Sequence, residues 1–440
     1  MPGVPSSRGC DACRRQKKKC DQIKPACTRC ARLQIPCVGS GQRRFKFKEG
    51  YSKGQDVIVF SNTARIPSNE TTDITRSFIE VLQVTDVRYD VTWYGPFLET
   101  LPRRIGASPA LDAAIGALSS AVKAVRTRQN SSDAISKYVK GWQALRTCLS
   151  DPMQTQSINT VCAIYIMMIT QSWVGRPDDH FANHGQVLTQ ILNAAVTQAG
   201  RGQFEDTMII TLSMPVILQS IVDPTVQLGS WFWTIAKNYE QPKPVLNNQG
   251  GKIPSLQVHV MISIAQWIRS PALYLVDILT AYEQLVIDCR TMRSVLDKIA
   301  EFEAAGVPQP STRLHTKPQA AYSALLSLAL VLNLMLRIFS PESLDLADEA
   351  GDLVTECIWL SELASRHRPF GVTFMPVCLA VAWVACENIA VRQQVQDILV
   401  GYEVDFPAVK WVRTCWWMQG RYDEIRRSSL EILLSPSPPC

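Results

Sequence analysis

Six of the fourteen cysteines form an internal repeat near the start of the chain. Their spacing is C-x2-C-x6-C-x6-C-x2-C-x6-C, which is one three-cysteine pattern followed by a second copy seventeen residues later. The repeat consists of Cys10, Cys13, Cys20, Cys27, Cys30 and Cys37. No secretory signal precedes it, so we expect an intracellular chain whose thiols stay reduced and bind metal rather than form disulfides.

The number of thiols indicates how many ions bind. Thiolates select zinc, which takes four ligands in a tetrahedral arrangement. One ion would leave two cysteines over, and six thiolates complete two sites only if two sulfurs bridge. Because the repeat makes equivalent positions bridge, we predict two Zn²⁺ ions that share Cys10 and Cys27. An iron–sulfur cluster is the competing interpretation, but it usually uses four cysteines and does not require this symmetry.

The spacing and the basic residues that follow Cys13 resemble the fungal binuclear zinc cluster family, the six-cysteine transcription factors. The resemblance covers residues 10–37, and Pro25 matches the family's loop proline. It implies the same bridging cysteines, a nuclear location and DNA half-sites of the CGG type. It further implies a sequence-specific regulator of genes transcribed by RNA polymerase II.

Positive charge is concentrated in the same part of the chain. Residues 1–50 contain thirteen Lys or Arg and three acids, whereas the rest of the chain contains more acids than bases. The run after Cys13 is RRQKKK, while the run after Cys30 is ARLQIP. A charged run is often only a solvated surface, but beside a metal cluster it favours contact with double-stranded DNA. We therefore predict that a first short helix faces DNA, and that Leu33 and Ile35 of a second one pack the small core.

The basic residues are expected to divide between bases and phosphates. In the family, a lysine near the end of the first helix donates to guanine, and the matching residue is Lys17, with Lys18 beside it. Gln16 departs from the Lys or Arg that the family often has there. The predicted phosphate contacts are Arg8, Arg14, Arg15, Lys19, Arg43 and Arg44, continued by Lys46 and Lys48. The alternation of the last four with Phe45 and Phe47 equally fits a short strand.

The rest of the chain predicts a large all-α domain. We divide the chain into a zinc-stabilised two-helix cluster domain over residues 1–41, a basic then polar linker over 42–75, and an all-α regulatory domain over 76–440. Ser108 and Pro109 mark a helix start, and a second helix covers residues 132–149. Further helices are predicted at roughly 157–173, 185–199, 206–222, 272–304, 319–339, 342–366, 374–400 and 421–434. The linker has no sustained heptads, so a homodimer is possible only by a route other than an adjacent coiled coil.

Residues 94–121 resemble the start of the fungus-specific regulatory domain that accompanies these clusters. This resemblance implies a domain without catalytic chemistry, whose partners are the transcription machinery or co-regulators, often for a secondary-metabolite or catabolic gene cluster. No phosphate-binding glycine loop or nucleophile elbow is found, so the chain is not expected to be an enzyme. The alternative is an enzyme or other helical protein that carries a zinc-cluster targeting head.

One apolar stretch, residues 320–339, is long enough to span a bilayer. Ser323, Ser327 and Asn333 dilute its apolar character, and no basic cluster flanks it. We therefore predict a buried helix of the domain and no membrane partner. The next helix is expected to start at Ser340 and Pro341.

Overall fold

The computed structural model describes residues 8–40, 69–84, 86–129, 132–155, 157–175, 184–197, 202–223, 225–229, 231–239, 253–305 and 313–434. The chain divides into two compact units, residues 1–67 and 68–440. Throughout the described residues the secondary structure is helical, without strands. The predicted fold class, a cysteine-rich N-terminal part followed by a helical remainder, agrees with this secondary structure, and the predicted domain bounds stay a prediction.

Among its described residues, the first unit, here called the head, has two short helices, α1 (Asp11–Arg15) and α2 (Thr28–Arg32). Each begins directly after the first cysteine of its repeat copy, near the C-x2-C pair as predicted, but α1 ends at Arg15, so the lysines of the basic run lie beyond it. The sulfur of that cysteine caps the helix by accepting a hydrogen bond from a backbone N–H of the first turn, which would otherwise have no partner in the helix. Five-residue helices are too short to be stable alone, so their order depends on what the cysteines bind.

The second unit, here called the body, has fifteen α-helices among its described residues. They are α3 (Glu70–Leu82), α4 (Pro109–Thr127), α5 (Ser132–Leu149), α6 (Pro152–Thr155), α7 (Ile158–Val174), α8 (His184–Thr197), α9 (Gln203–Val222), α10 (Trp231–Tyr239), α11 (Val258–Trp267), α12 (Leu275–Ala304), α13 (Arg313–Phe339), α14 (Leu344–Ala364), α15 (Met375–Ala385), α16 (Ile389–Asp405) and α17 (Trp411–Leu434). Short 3₁₀ helices join several of them. Helices that are near one another in the chain often pack together. Helix α4, for example, packs against both α5 and α7.

Several boundaries follow the local capping chemistry that the sequence shows. The hydroxyl of Ser108 accepts a hydrogen bond from the N–H of Leu111 at 3.5 Å, and Pro109 is the first residue of α4. Helix α5 ends at Leu149, before Asp151 and Pro152. Proline disfavours the helical conformation of the residue before it, and both boundaries agree with the prediction.

Other boundaries differ from the prediction. Helix α3 begins at Glu70, within the segment predicted as linker, because the Asn69 side chain caps it by accepting from the N–H of Thr72 at 2.8 Å. The single helix predicted over 374–400 is two helices, because Asn388 caps the start of α16. The short helix α6, the helices α10 and α11, and the first part of α17 also lie outside the predicted set. Short apolar runs such as these do not reveal a helical period.

The predicted start at Ser340 and Pro341 is wrong. Both residues lie before α14, which begins at Leu344. The cap is Ser343, whose hydroxyl accepts from the N–H of Leu346 at 3.4 Å. Both serines could cap a helix. Ser343 does so because its hydroxyl lies three residues before a backbone N–H of the first turn that needs an acceptor.

Helix α13 contains the apolar stretch and packs against α12, α14 and α15. Its segment Thr316–Phe339 is long and apolar enough to cross a membrane by length and composition, and 72% of the apolar window is buried inside the body. The buried amide of Asn333 donates to the Tyr282 hydroxyl at 3.1 Å and to the Leu346 carbonyl at 2.9 Å. This burial agrees with the predicted core helix.

Candidate metal centre

The six cysteines of the head form two sets of four whose sulfur atoms all lie within 4.8 Å of one another. One set is Cys10, Cys13, Cys20 and Cys27, and the other is Cys10, Cys27, Cys30 and Cys37. The two sets share Cys10 and Cys27, the first cysteine of each repeat copy. Each set offers the four sulfur ligands that a tetrahedral zinc site takes.

The distances between sulfurs fit tetrahedral coordination. A Zn–S bond of about 2.3 Å in a regular tetrahedron puts neighbouring sulfurs about 3.8 Å apart. The Sγ atoms of Cys10 and Cys27 are 3.9 Å apart, those of Cys10 and Cys30 are 3.5 Å apart, and those of Cys13 and Cys27 are 3.8 Å apart. These residues therefore fit two zinc ions with little movement.

Backbone hydrogen bonds repeat in both copies and orient the sulfurs. The Cys13 N–H donates to the Cys10 sulfur at 3.5 Å, and the Cys30 N–H donates to the Cys27 sulfur at 3.4 Å. The N–H of the first cysteine of each copy donates in turn to the third cysteine's sulfur, at 3.4 and 3.3 Å. N–H donors favour the thiolate over the thiol, so the fold prepares the sulfurs to bind a cation.

The two shared cysteines differ from their neighbours in acidity. The hydrogen bond from the Cys13 N–H lowers the pKa of Cys10 to about 6, and that from the Cys30 N–H lowers the pKa of Cys27. Burial raises the pKa of Cys13 to about 11 and also raises the pKa of Cys30. The fold thus favours the thiolate most strongly at the two positions common to both sets.

Two residues after the end of each short helix lies a residue in the left-handed region. Lys17 and Gln34 occupy equivalent positions of the two copies, and both have φ of 52°. After this turn, the N–H of Lys18 donates to the Cys13 carbonyl at 2.9 Å, and the N–H of Ile35 donates to the Cys30 carbonyl at 3.1 Å. The twofold repeat of the sequence is therefore also a repeat of backbone conformation.

The cationic run projects into solvent, with one exception. Five of the predicted DNA-contacting residues are exposed, namely Arg8, Arg15, Lys17, Lys18 and Lys19. Arg14 is partly buried. The remaining predicted contacts lie outside the described residues, namely Arg43, Arg44, Lys46 and Lys48.

Arg29 joins the two copies, a role that the sequence pattern does not reveal. Its guanidinium donates to the Cys13 sulfur at 3.9 Å and to the side-chain carbonyl of Gln16. Two divalent cations with six thiolates carry net negative charge, which an adjacent guanidinium offsets. The two copies do differ at this position, since the residue equivalent to Arg29 in the first copy is Ala12.

The prediction that Leu33 packs the core of the head is wrong. Leu33 is 46% exposed, whereas Ile35 does pack against the cysteines. Leu33 lies at the position equivalent to Gln16, which is exposed as well. Four cysteines, each 0% exposed, form the buried cluster of the described head in place of aliphatic side chains.

Comparison with known proteins agrees with this geometry. Residues 8–46 match the family model of the fungal Zn(2)-Cys(6) binuclear cluster domain. A domain of this kind binds two zinc ions, and the two sulfur sets described above are consistent with that number.

Two curated relatives match a short part of the chain. One is the abscisic acid cluster transcription factor abl7 of Leptosphaeria maculans, 46% identical over 50 residues, which are 11% of this chain and 8% of that protein. Another is the transcriptional regulator alnR of Emericella nidulans, 54% identical over 37 residues, which are 8% of this chain and 9% of that protein. The match thus spans less than a tenth of either relative. No solved structure matches the chain.

Proposed function

We propose that this chain is a sequence-specific DNA-binding transcription regulator. The observation that carries the proposal is the agreement between the family match at residues 8–46 and the two sulfur sets that share Cys10 and Cys27. The proposed ligands are the six cysteines of the repeat, with those two as bridges. Zinc, when bound, supplies the folding energy of the head, since the described head has no other buried hydrophobic residue than four of its cysteines.

The exposed cationic run is the proposed DNA-contacting surface. Arg29 engages the side chain of Gln16, and the adjacent cations Lys17 and Lys18 are exposed. We propose that Lys17 donates to guanine in CGG-type half-sites, since a lysine in the major groove matches guanine's O6 and N7 acceptors. Arg8, Arg15 and Lys19 are proposed to contact phosphates, together with the partly buried Arg14 and with Arg43 and Arg44.

The body is proposed to be a non-enzymatic regulatory domain that contacts the transcription machinery or co-regulators in the nucleus. This proposal is supported by the resemblance of residues 94–121 to a fungus-specific regulatory domain. The resemblance itself stays a prediction. One relative is named as an abscisic acid cluster transcription factor. By analogy we propose that this chain regulates a pathway-specific gene cluster transcribed by RNA polymerase II.

The Lys17→Gln variant of the full chain tests the proposed reading of DNA. Glutamine occupies the equivalent position of the second copy, Gln34, with the same φ of 52°, so the change removes charge without new backbone strain. Loss of one good guanine contact should reduce discrimination for CGG-type sites by roughly 1–3 kcal/mol. Selection from a randomised DNA pool, followed by measurement of affinity for selected and scrambled sites, gives this number.

The matched control is Arg15→Gln, a change to an exposed cation two residues earlier. It should weaken binding to all sequences alike and lower the slope of log affinity against log salt by about 0.9. Lys17→Gln that keeps full selectivity would show that another residue reads the base. A wild-type chain that enriches no site from the pool would contradict the proposed function itself.

A further inference from the structure

A cleft of about 940 Å³ lies in the body. It is bordered by the C-terminal end of α4, the start of α5, the end of α7, the 3₁₀ helix Ser365–His367 and the end of α16. Its volume falls within the range of sites for small organic molecules, about 300–1,000 Å³. Nothing in the proposed reading of DNA makes use of it.

The wall of the cleft is rich in arginine. Four arginines and one carboxylate line it, and Arg126 adds a fifth guanidinium 5.5 Å from the centre of the lining ring of Tyr89. Three of the lining arginines have carboxylate partners, as Arg88 has Asp86, Arg366 has Glu303 and Arg368 has Asp405. Five guanidiniums around three carboxylates leave the cleft positive, which favours an anion.

Arg128 is the cation best placed to receive that anion. It lies at the C-terminal cap of α4 in the left-handed region, with φ of 52°, and is exposed. Within the described part of the chain its guanidinium has no carboxylate or hydrogen-bond partner. A guanidinium presents paired donors that fit a carboxylate or sulfonate group, so its free donors suit the acidic group of a ligand.

The inner wall of the cleft is apolar and aromatic, in contrast to the arginine-rich wall. The Trp173 ring is 6% exposed and stacks on Phe370 at 4.6 Å, and Phe370 stacks on Phe406 at 5.9 Å. The indole N–H of Trp173 donates to the Tyr94 hydroxyl at 3.1 Å, which fixes the ring. At the cleft, Ile135 and Val404 are 51% and 73% exposed, so an apolar ligand would cover side chains that now contact water.

We propose that this cleft binds a small organic acid with an apolar ring, whose acidic group pairs with Arg128 and whose ring lies against Trp173, Ile135 and Val404. In this arrangement the arginine-rich wall binds the acidic group and the aromatic wall contacts the ring. The proposal concerns the body alone and does not depend on how the head reads DNA.

Anilinonaphthalene sulfonate, a fluorescent aromatic sulfonate, is a direct probe of this site in the full-length protein. The uncharged phenylnaphthylamine has the same aromatic body without the acidic group. We expect saturable binding of the sulfonate at one site per chain, and weaker binding of the uncharged probe by roughly tenfold, the factor that one charged hydrogen bond commonly contributes.

Charge variants at the cleft give the deciding comparison. Arg128→Gln and Val404→Glu should each weaken binding of the sulfonate by roughly tenfold. Two controls should leave its affinity unchanged. Val404→Gln has the same shape as Val404→Glu without the charge, and Arg146→Gln removes an exposed cation of α5 outside the cleft. None of these alters the cationic head, so any binding there is common to all. Equal affinity in Arg128→Gln and Arg146→Gln, or in the two Val404 variants, would overturn the proposal.

Discussion

Replacing Cys27 with alanine is expected to remove both zinc ions from the head and to abolish specific DNA binding. Cys27 is 0% exposed and belongs to both sulfur sets, so its loss takes one ligand from each proposed site. Structural zinc contributes about 10–16 kcal/mol to the folding of comparable small units. Over residues 8–40, the buried hydrophobic cluster of the head consists of cysteines alone, so no apolar core there replaces this energy. The same outcome is expected for Cys10→Ala, at the equivalent position of the first copy.

Cys20→Ala and Cys37→Ala are the matched controls, because each of these cysteines belongs to one set only. Native mass spectrometry of the full chain during a chelator titration measures how many zinc ions each variant retains. We expect two ions in the wild type, one firmly held ion in either control, and none in Cys27→Ala at the same chelator concentration. If Cys27→Ala keeps one ion as firmly as Cys37→Ala, the sulfur of Cys27 does not bridge.

Of the features of the head, those that belong to the repeat could be derived from the sequence. Cysteine identity and spacing determine the ligand count, and the copies share their sulfur capping and the left-handed turn at Lys17 and Gln34. The contacts that break the repeat were not derivable. Arg29 reaches Gln16 across thirteen residues of chain, and a side-chain contact of this kind depends on the fold that the cysteines impose.

In the body, the sequence predicts helices where capping chemistry and period coincide, as at Ser108. It fails where capping side chains compete or interrupt an apolar run. Ser343, rather than Ser340, caps α14, and Asn388 caps α16, so that the single helix predicted over 374–400 is divided into α15 and α16. Both outcomes depend on which backbone N–H is left without a partner once neighbouring helices have packed.

The cleft shows a further limit of the sequence. Arg128, Trp173, Arg366 and Val404 are far apart along the chain, and none belongs to a motif. Only the packing of the ends of α4, α7 and α16 with the 3₁₀ helix Ser365–His367 brings them to one cleft. Periodicity indicates which face of each helix is buried, but it does not indicate where three helix ends leave a space.

Replacing Leu330 with aspartate is expected to unfold the body. Leu330 is 0% exposed on α13, which packs against three other long helices. The change forfeits about 2–5 kcal/mol of packing, and a buried carboxylate without a partner costs several kcal/mol more. Together these match the stability of a typical domain, about 5–15 kcal/mol. Soluble yield and helical circular dichroism on heating measure the loss.

Leu344→Asp supplies the same chemical change at a site that is 78% exposed. Leu344 is the first residue of α14, where a carboxylate interacts favourably with the helix dipole by about 0.3–1 kcal/mol, so this variant should remain folded. Equal stability of the two variants would contradict the burial of α13. Because Thr316–Phe339 also has the length and composition of a membrane span, the wild-type lysate should be fractionated in parallel. Retention of the chain in membranes after a carbonate wash would mean that lipid, rather than neighbouring helices, covers Leu330, and the aspartate would then prevent insertion instead of unfolding a core.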